Sequence, residues 1–534
     1  SCEPCAGMRP ASVLRRASAA GRGVDMRIDR ADIAKIGLLL GPALALAAAL
    51  LLPADTGLTD AGAQPSALTP AGRATAAVAI WMAAWWLTEA VPLAVTALLP
   101  VVLFPLLGIA DIGAATAPYA NPLIFLFLGG FLLGLAVQRF GLHRRIALAI
   151  LLRVGTSPRG LIGGFMLAAA LLSMWISNTA TAIMMLPIGV SVLKLLEEQE
   201  SGATPGRPGA ADAPIPMHAF GTALVLGIAY ACSIGGIGTL VGTPPNLVLA
   251  AFVRDHYGQD VSMAGWLGIG MPLVAVMLPL TWWYLTRIAF RVPARCFACG
   301  RAVLIGELHR LGPMGRGERV ALTVFVLTAM AWLLRPWLVA WTGLDGLTDA
   351  GIAMLGALSL FVIPVDSNGT GSGHPRRALD WETAKGLPWE ILILFGGGLS
   401  LASAIAANGV DGFIGAGFAG LGGLPPWVLV LTVAAVVVLL TEITSNTAVT
   451  TTLMPVLAAT AAATAVPPGM LLTAAALAAS CAFMLPVATP PNAIVFASGR
   501  VTIAQMARAG IGLNLIAVAV VTLVVLLGSR LVLA

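Results

Sequence analysis

Leu172-Ser173-Met174-Trp175-Ile176-Ser177-Asn178-Thr179-Ala180 has a counterpart later in the chain, Leu440-Thr441-Glu442-Ile443-Thr444-Ser445-Asn446-Thr447-Ala448. Both end in Ser-Asn-Thr-Ala, and a hydroxyl residue, Ser173 or Thr441, stands one helical turn before each serine. An apolar run closing on Leu186-Pro187 or Met454-Pro455 follows each copy. Further on, Gly242-Thr243-Pro244-Pro245-Asn246 answers Ala488-Thr489-Pro490-Pro491-Asn492; upstream, Phe127-Leu128-Gly129-Gly130 resembles Phe395-Gly396-Gly397-Gly398. Three landmarks in one order, twice, make this an internal repeat. The spacing between the last two motifs is longer in the first half by about the length of a polar stretch, 196–217.

The solvent for this repeat is a bilayer. Of the 534 residues, 58% are hydrophobic and 10% charged, too little charge to clothe a soluble protein. Many segments stay apolar for roughly 18 residues or more, the length that crosses a hydrocarbon core. The net charge of +6 collects in short loops between those segments. That is the positive-inside pattern, and it argues against nucleic acid as a partner.

Residues 1–33, with Arg9, Arg15, Arg16, Arg22, Arg27 and Arg30, read as a cytoplasmic basic tail. Residues 34–73 hold a first transmembrane helix and its loop, 74–288 the first repeat, 289–318 a cytoplasmic linker rich in arginine, and 319–534 the second repeat. If 160–195 and 427–462, which carry the Ser-Asn-Thr motifs, are re-entrant hairpins, eleven spans remain. The N-terminus is then cytoplasmic and the C-terminus periplasmic. In that arrangement the loops holding most Arg and Lys share the cytoplasmic side, whereas 408–426 and 463–468 carry none. Five spans and a hairpin per half invert the second copy, the common plan of secondary transporters. The expected fold is an all-α polytopic membrane protein with inverted-topology repeats.

The motif chemistry suits an anion and a small cation together. Thr243 and Thr489 fit N-cap positions with proline next, so each Thr-Pro-Pro-Asn reads as a break followed by a new half-helix. The Ser-Asn-Thr motifs sit where a hairpin turns. Four helix N-termini would converge, offering free N–H groups to an anion. Hydroxyls and freed carbonyls are hard oxygen donors for an alkali ion. None of the four motifs contains Lys or Arg, so a dianion needs bound cations, and sodium would supply them. Glu89 and Glu442 are the conspicuous buried acids, expected in capping or pairing roles rather than as ion sites. The five histidines (143, 218, 256, 309, 374) lie in or near loops and suggest no metal cluster. Tryptophans such as Trp81, Trp85, Trp86, Trp282 and Trp283 read as anchors or packing. Two CxxC pairs, Cys2/Cys5 and Cys296/Cys299, leave a four-thiolate zinc site open beside the plainer reading of two short loop motifs.

From about residue 34 onward, the paired Ser-Asn-Thr and Thr-Pro-Pro-Asn motifs and Trp85-Trp86-Leu87-Thr88-Glu89-Ala90-Val91-Pro92 resemble the divalent anion/sodium symporter family. That family comprises sodium-coupled dicarboxylate, citrate and sulfate transporters. The resemblance implies a homodimeric elevator-type transporter, with 160–195 the cytoplasm-facing hairpin and 427–462 the outward-facing one. It implies one sodium site at Ser173, Ser177, Asn178 and the Gly242 carbonyl. A second would use Thr441, Thr444, Ser445, Asn446 and the Ala488 carbonyl. Substrate would meet Ser177, Asn178, Thr179, Ser445, Asn446 and Thr447, with Thr243, Thr489 and Pro490 nearby.

The expected activity is sodium-coupled symport of C4-dicarboxylates such as succinate, malate or fumarate across a bacterial inner membrane. The alternatives are sulfate or citrate symport, and less so dicarboxylate exchange or an anion channel. An enzyme is not expected. A membrane hydrolase would need a motif such as GxSxG or HExxH, and neither occurs.

Overall fold

The computed structural model describes residues 30–53, 67–154, 157–201, 217–292, 300–344, 346–365, 376–418, 420, 423–464 and 466–528. The two CxxC pairs and most of the basic tail lie outside these residues. The described chain is helical, with an isolated β-bridge between Pro364 and Arg377.

Each Ser-Asn-Thr motif divides a pair of helices. Pro158–Ser173 and Asn178–Ser201 form the first hairpin, Pro426–Thr441 and Asn446–Thr464 the second. Proline opens the first arm of each, where its missing amide costs nothing; in the first, Ser157 Oγ also accepts from Gly160 N at 3.0 Å. These first arms have 16 residues and rise about 24 Å, short of a hydrocarbon core of about 30 Å. After each hairpin comes a broken helix: Met217–Gly236 then Pro244–Tyr257, and Pro468–Ala479 then Pro490–Ala497. A long helix follows each, Met263–Trp283 or Ile503–Gly528.

The duplication in sequence is a duplication in packing. In each half the first arm of the hairpin packs on the first piece of the broken helix, and the following long helix packs back on both. The halves then exchange contacts. Pro244–Tyr257 packs on the second hairpin's Asn446–Thr464, and Pro490–Ala497 packs on the first hairpin's Asn178–Ser201. From the Phe-Leu-Gly-Gly motif to the hairpins, every first-half residue stands 268 before its partner, as with Ser177 and Ser445. Gly141 and Gly409 keep that register, with φ of 72° and 68°. Each follows the helix that carries the glycine-rich motif, Pro122–Arg139 or Trp389–Ala407, in a left-handed conformation that favours glycine.

Eight helices among the described residues are long and apolar enough to cross a membrane, which makes the chain a multi-pass membrane protein. Counting by length and composition does not return eleven spans. The segment expected at 92–109 breaks between Thr96 and Leu99 into Leu93–Thr96, with Pro92 before it, and Leu99–Leu106, with Pro100 in its first turn. Asp349–Val362 is apolar but has 14 residues, and Asn446–Thr464, an arm of the second hairpin, is among the eight. The arginine-rich stretch 289–318 contains a helix of its own, Gly300–Arg310. It is tied down by Arg145, which pairs with Glu318 at 2.9 Å and donates to the Gly312 carbonyl at 3.0 Å.

Candidate functional site

The hairpin tips are built by hydroxyl capping. Ser177 Oγ accepts from Ala180 N at 3.3 Å, and Ser445 Oγ from Ala448 N at 3.4 Å. The oxygen is engaged while each hydroxyl proton is left for another acceptor. The Thr-Pro-Pro-Asn breaks are built by asparagine. Asn246 Nδ2 donates to the carbonyls of Gly236, Ile237 and Thr239 at 3.2, 3.3 and 2.7 Å. Asn492 Nδ2 reaches the matching carbonyls of Ala482 and Leu485 at 3.2 and 3.1 Å. Both asparagines are fully buried, so each satisfies carbonyls that the broken helix has released into an apolar interior. Replacing Asn492 by Ala is expected to cost about 2 kcal/mol of stability, since two carbonyls lose their donor. Thermal unfolding in detergent measures it, and an unchanged midpoint would contradict the role.

Thr243 and Thr489 occupy the expected N-cap positions in different ways. Thr489 Oγ1 accepts from Asn492 N at 3.4 Å. Thr243 makes no side-chain cap; its hydroxyl lies 3.4 Å from that of Ser480, across the repeat boundary.

The four motifs meet. A cavity of about 720 Å³ is lined by Ser177, Asn178, Thr179, Gly242 and Thr243 from one half and Ser445, Asn446, Thr447, Ala488, Thr489 and Pro490 from the other. The volume suits a small organic ligand. Helices starting at Asn178, Pro244, Asn446 and Pro490 all open onto it, so four positive dipole ends share one space. None of its lining residues is Lys or Arg.

Ser173, Thr441 and Thr444 are not in the lining; they are buried behind it. Ser173 Oγ donates to Asn178 Oδ1 at 2.6 Å. A side chain at Gly236 would stand 2.5 Å from that same oxygen and 3.1 Å from the Gly242 carbonyl. Three oxygens, from Ser173, Asn178 and Gly242, thus cluster in front of a residue with no side chain. In the second half Thr441 donates to Val437 O at 2.9 Å and Thr444 to Leu440 O at 2.7 Å. Asn446 Oδ1 is left buried with no partner among the described residues. A buried acceptor lacking a donor wants a proton or a cation, and hydroxyls that have spent their protons offer only lone pairs. Both clusters fit an alkali ion.

Sequence reasoning missed part of the lining: Leu93, Phe127, Phe131, Glu390, Leu394 and Phe496. Phe127 belonged to a recognised motif read only as a repeat marker. Glu390 lies outside all four motifs, so no repeat signal marked it. Glu89 corrects an expectation. It is exposed, not buried, and lines the cavity at the left-handed C-cap (φ 49°) of Pro70–Thr88. Glu442 is buried as expected, and its carboxylate accepts backbone N–H groups of Phe483, Met484 and Leu485. His143 is also buried, within the helix Leu142–Val154. Among the described residues, no group of three or more His, Cys, Asp or Glu is placed to hold a metal.

Comparison with known proteins places this arrangement. Residues 45–533 match the model of the family described as the sodium:sulfate symporter transmembrane region. A protein of Staphylococcus saprophyticus named sodium-dependent dicarboxylate transporter SdcS is 42% identical over 491 residues, covering 92% of this chain and 90% of that protein. Its namesake in Staphylococcus aureus is 41% identical over the same length. Among solved structures, the Neisseria gonorrhoeae MtrF efflux pump aligns with a TM-score of 0.54 at 13% identity, covering 94% of this chain and 95% of that one. The Alcanivorax borkumensis YdaH transporter aligns at 0.52 and 16% identity, over 76% and 85%. At such identity these two speak for the fold alone.

Proposed function

We propose sodium-coupled symport of a dicarboxylate from this premise: the chain belongs to the family of the sodium:sulfate symporter transmembrane region, and is therefore a membrane transporter rather than an enzyme. One observation carries the reading. Two matched sets of hydroxyl and amide groups share a cavity whose lining holds no cationic side chain. A doubly charged anion there is met by helix ends of about half a charge each, so it needs cations brought with it. Relatives named for sodium and dicarboxylate support both halves of that statement.

In this reading the first sodium binds Ser173, Ser177, Asn178 and the Gly242 carbonyl. The second binds Thr441, Thr444, Ser445, Asn446 and the Ala488 carbonyl. The two carboxylates of a C4 acid accept from Ser177, Asn178 and Thr179 on one side and Ser445, Asn446 and Thr447 on the other. Thr243, Thr489 and Pro490 shape the pocket around them. The protein would work as an elevator-type homodimer in a bacterial inner membrane, with its N-terminus in the cytoplasm and its C-terminus in the periplasm. Residues 74–288 and 319–534 would be its inverted repeats.

Uptake of labelled succinate into proteoliposomes tests this. Transport is expected to run with an inward sodium gradient and collapse when potassium replaces sodium, with malate and fumarate competing. The family's own description favours one rival substrate, sulfate. Sulfate outcompeting succinate would move the assignment to that anion, and uptake indifferent to sodium would end the symport reading.

A further inference from the structure

The two halves match closely enough to compare residue by residue, and one buried pair changes character between them. Met174, at the first hairpin tip, stands 268 residues before Glu442 at the second. The long helices that follow the broken ones start at Met263 and Ile503, so Val274 corresponds to Asn514. Gly270 and Gly510 fix that register, each lying against the carbonyl of the neighbouring break, Ile237 or Phe483. An apolar pair in the first half is a polar pair in the second.

Glu442 is 4% exposed and does not line the cavity. Its Oε1 accepts from Phe483 N at 2.7 Å, Met484 N at 2.9 Å and Asn514 Nδ2 at 2.7 Å; Oε2 accepts from Leu485 N at 2.9 Å. Every partner is a donor, which is what an acceptor-only carboxylate requires. The first half solves the same problem otherwise. The matching amides of Ile237 and Gly238 turn back onto Ile234 O at 3.2 Å and Gly235 O at 2.9 Å, and Thr239 Oγ1 donates to the Met174 carbonyl. The second break is therefore opened, with three consecutive amides gathered by one side chain from the hairpin tip.

We propose that Glu442 is a positioning residue for the second cation site. It fastens the tip carrying Thr441, Thr444, Ser445 and Asn446 to the segment that runs on to the Ala488 carbonyl. The inference rests on the ligand reading given above. Those ligands come from two separate stretches of chain, and a cation holds both only as firmly as the stretches hold each other. Charge-assisted bonds make that clamp stiff, and the carboxylate leaves a negative charge behind the ligands. The first site has Met174 in that place, so the second site takes up sodium at the lower concentration.

Sodium-dependent thermal stabilisation of the purified protein reads this without transport. Asn178→Ala isolates the second site and Asn446→Ala the first. The half-maximal sodium concentration is expected to be lower in Asn178→Ala. Adding Glu442→Gln there should raise it about tenfold, and adding it to Asn446→Ala should leave it unchanged. A general structural defect would instead lower stability without sodium and move both. If Glu442→Gln does not fold, Asn514→Val, the first half's own residue, removes one of the four bonds and should shift the second site about threefold the same way. An unchanged midpoint in whichever variant folds overturns the proposal. If Asn446→Ala alone leaves the whole sodium response intact, the cation-site reading fails first; if it reduces that response while Glu442→Gln does nothing, only the positioning role falls.

Discussion

Asn178→Ala and Asn446→Ala are each expected to cut sodium-driven succinate uptake by roughly 100-fold while the protein stays folded in the membrane. The two halves of that expectation have separate causes. Helix termination at each tip is the work of serine, through Ser177 Oγ to Ala180 N and Ser445 Oγ to Ala448 N. Removing the neighbouring amide leaves those caps in place. What it removes is a cavity-lining group on each side. Its nitrogen can donate to a carboxylate and its oxygen can face a cation. A hydrogen bond to a charged partner contributes about 1.5–3 kcal/mol, and a lost cation ligand adds to it. About 3 kcal/mol in all is close to two decades in binding. Initial uptake rates, normalised to protein in the vesicles, measure the effect. Ser177→Ala should differ by losing the cap as well as a cavity group, so about 1 kcal/mol of stability should go with the loss of transport and show in the melting temperature. Near-normal transport by both asparagine mutants would reduce the motifs to helix ends.

Gly236→Ala is expected to abolish the response of uptake to sodium at the first site with little loss of fold. The second repeat already carries an alanine, Ala482, at the matching position, so the backbone of a break tolerates a Cβ there. In the first repeat that Cβ would lie 2.5 Å from Asn178 Oδ1 and 3.1 Å from both Asn178 Nδ2 and the Gly242 carbonyl. The amide must turn away, because contacts that short store more repulsion than a side chain can absorb in place. Turning it breaks the 2.6 Å bond from Ser173 and disperses the oxygen cluster. Losing that bond and one ligand should lower transport by about 30-fold, equivalent to roughly 2 kcal/mol. Sodium titration of uptake checks it, and wild-type sodium dependence in Gly236→Ala would show that the oxygens around Asn178 hold no ion. Ala482→Gly, which only removes a methyl group, should change uptake far less.

Much of this architecture was legible beforehand because helix ends leave marks in sequence. Proline after Thr243 and Thr489, and serine at 177 and 445, are residues chosen for what a terminating helix lacks, and their recurrence revealed the duplication. The count of spans was less legible. Hydropathy registers how apolar a stretch is and not where it bends, so 92–109 looked continuous although its helix breaks between Thr96 and Leu99. Glu89 was misjudged for the same reason. An acid inside an apolar stretch was read as buried, yet the helix ends at Thr88 and turns that side chain toward the cavity.

The sequence by itself determined that this is a duplicated membrane protein and which polar residues each copy contributes, since those follow from composition and local helix chemistry. Only the tertiary structure decided that the two sets face one cavity, that Ser173, Thr441 and Thr444 stand behind its wall, and that Glu442 clasps a backbone segment some forty residues away, from Phe483 to Leu485. The physical reason is one of range. Capping and helix breaking act over three or four residues and are written where they act. The exchange of packing between halves joins residues hundreds apart, and nothing in a single stretch of chain records it.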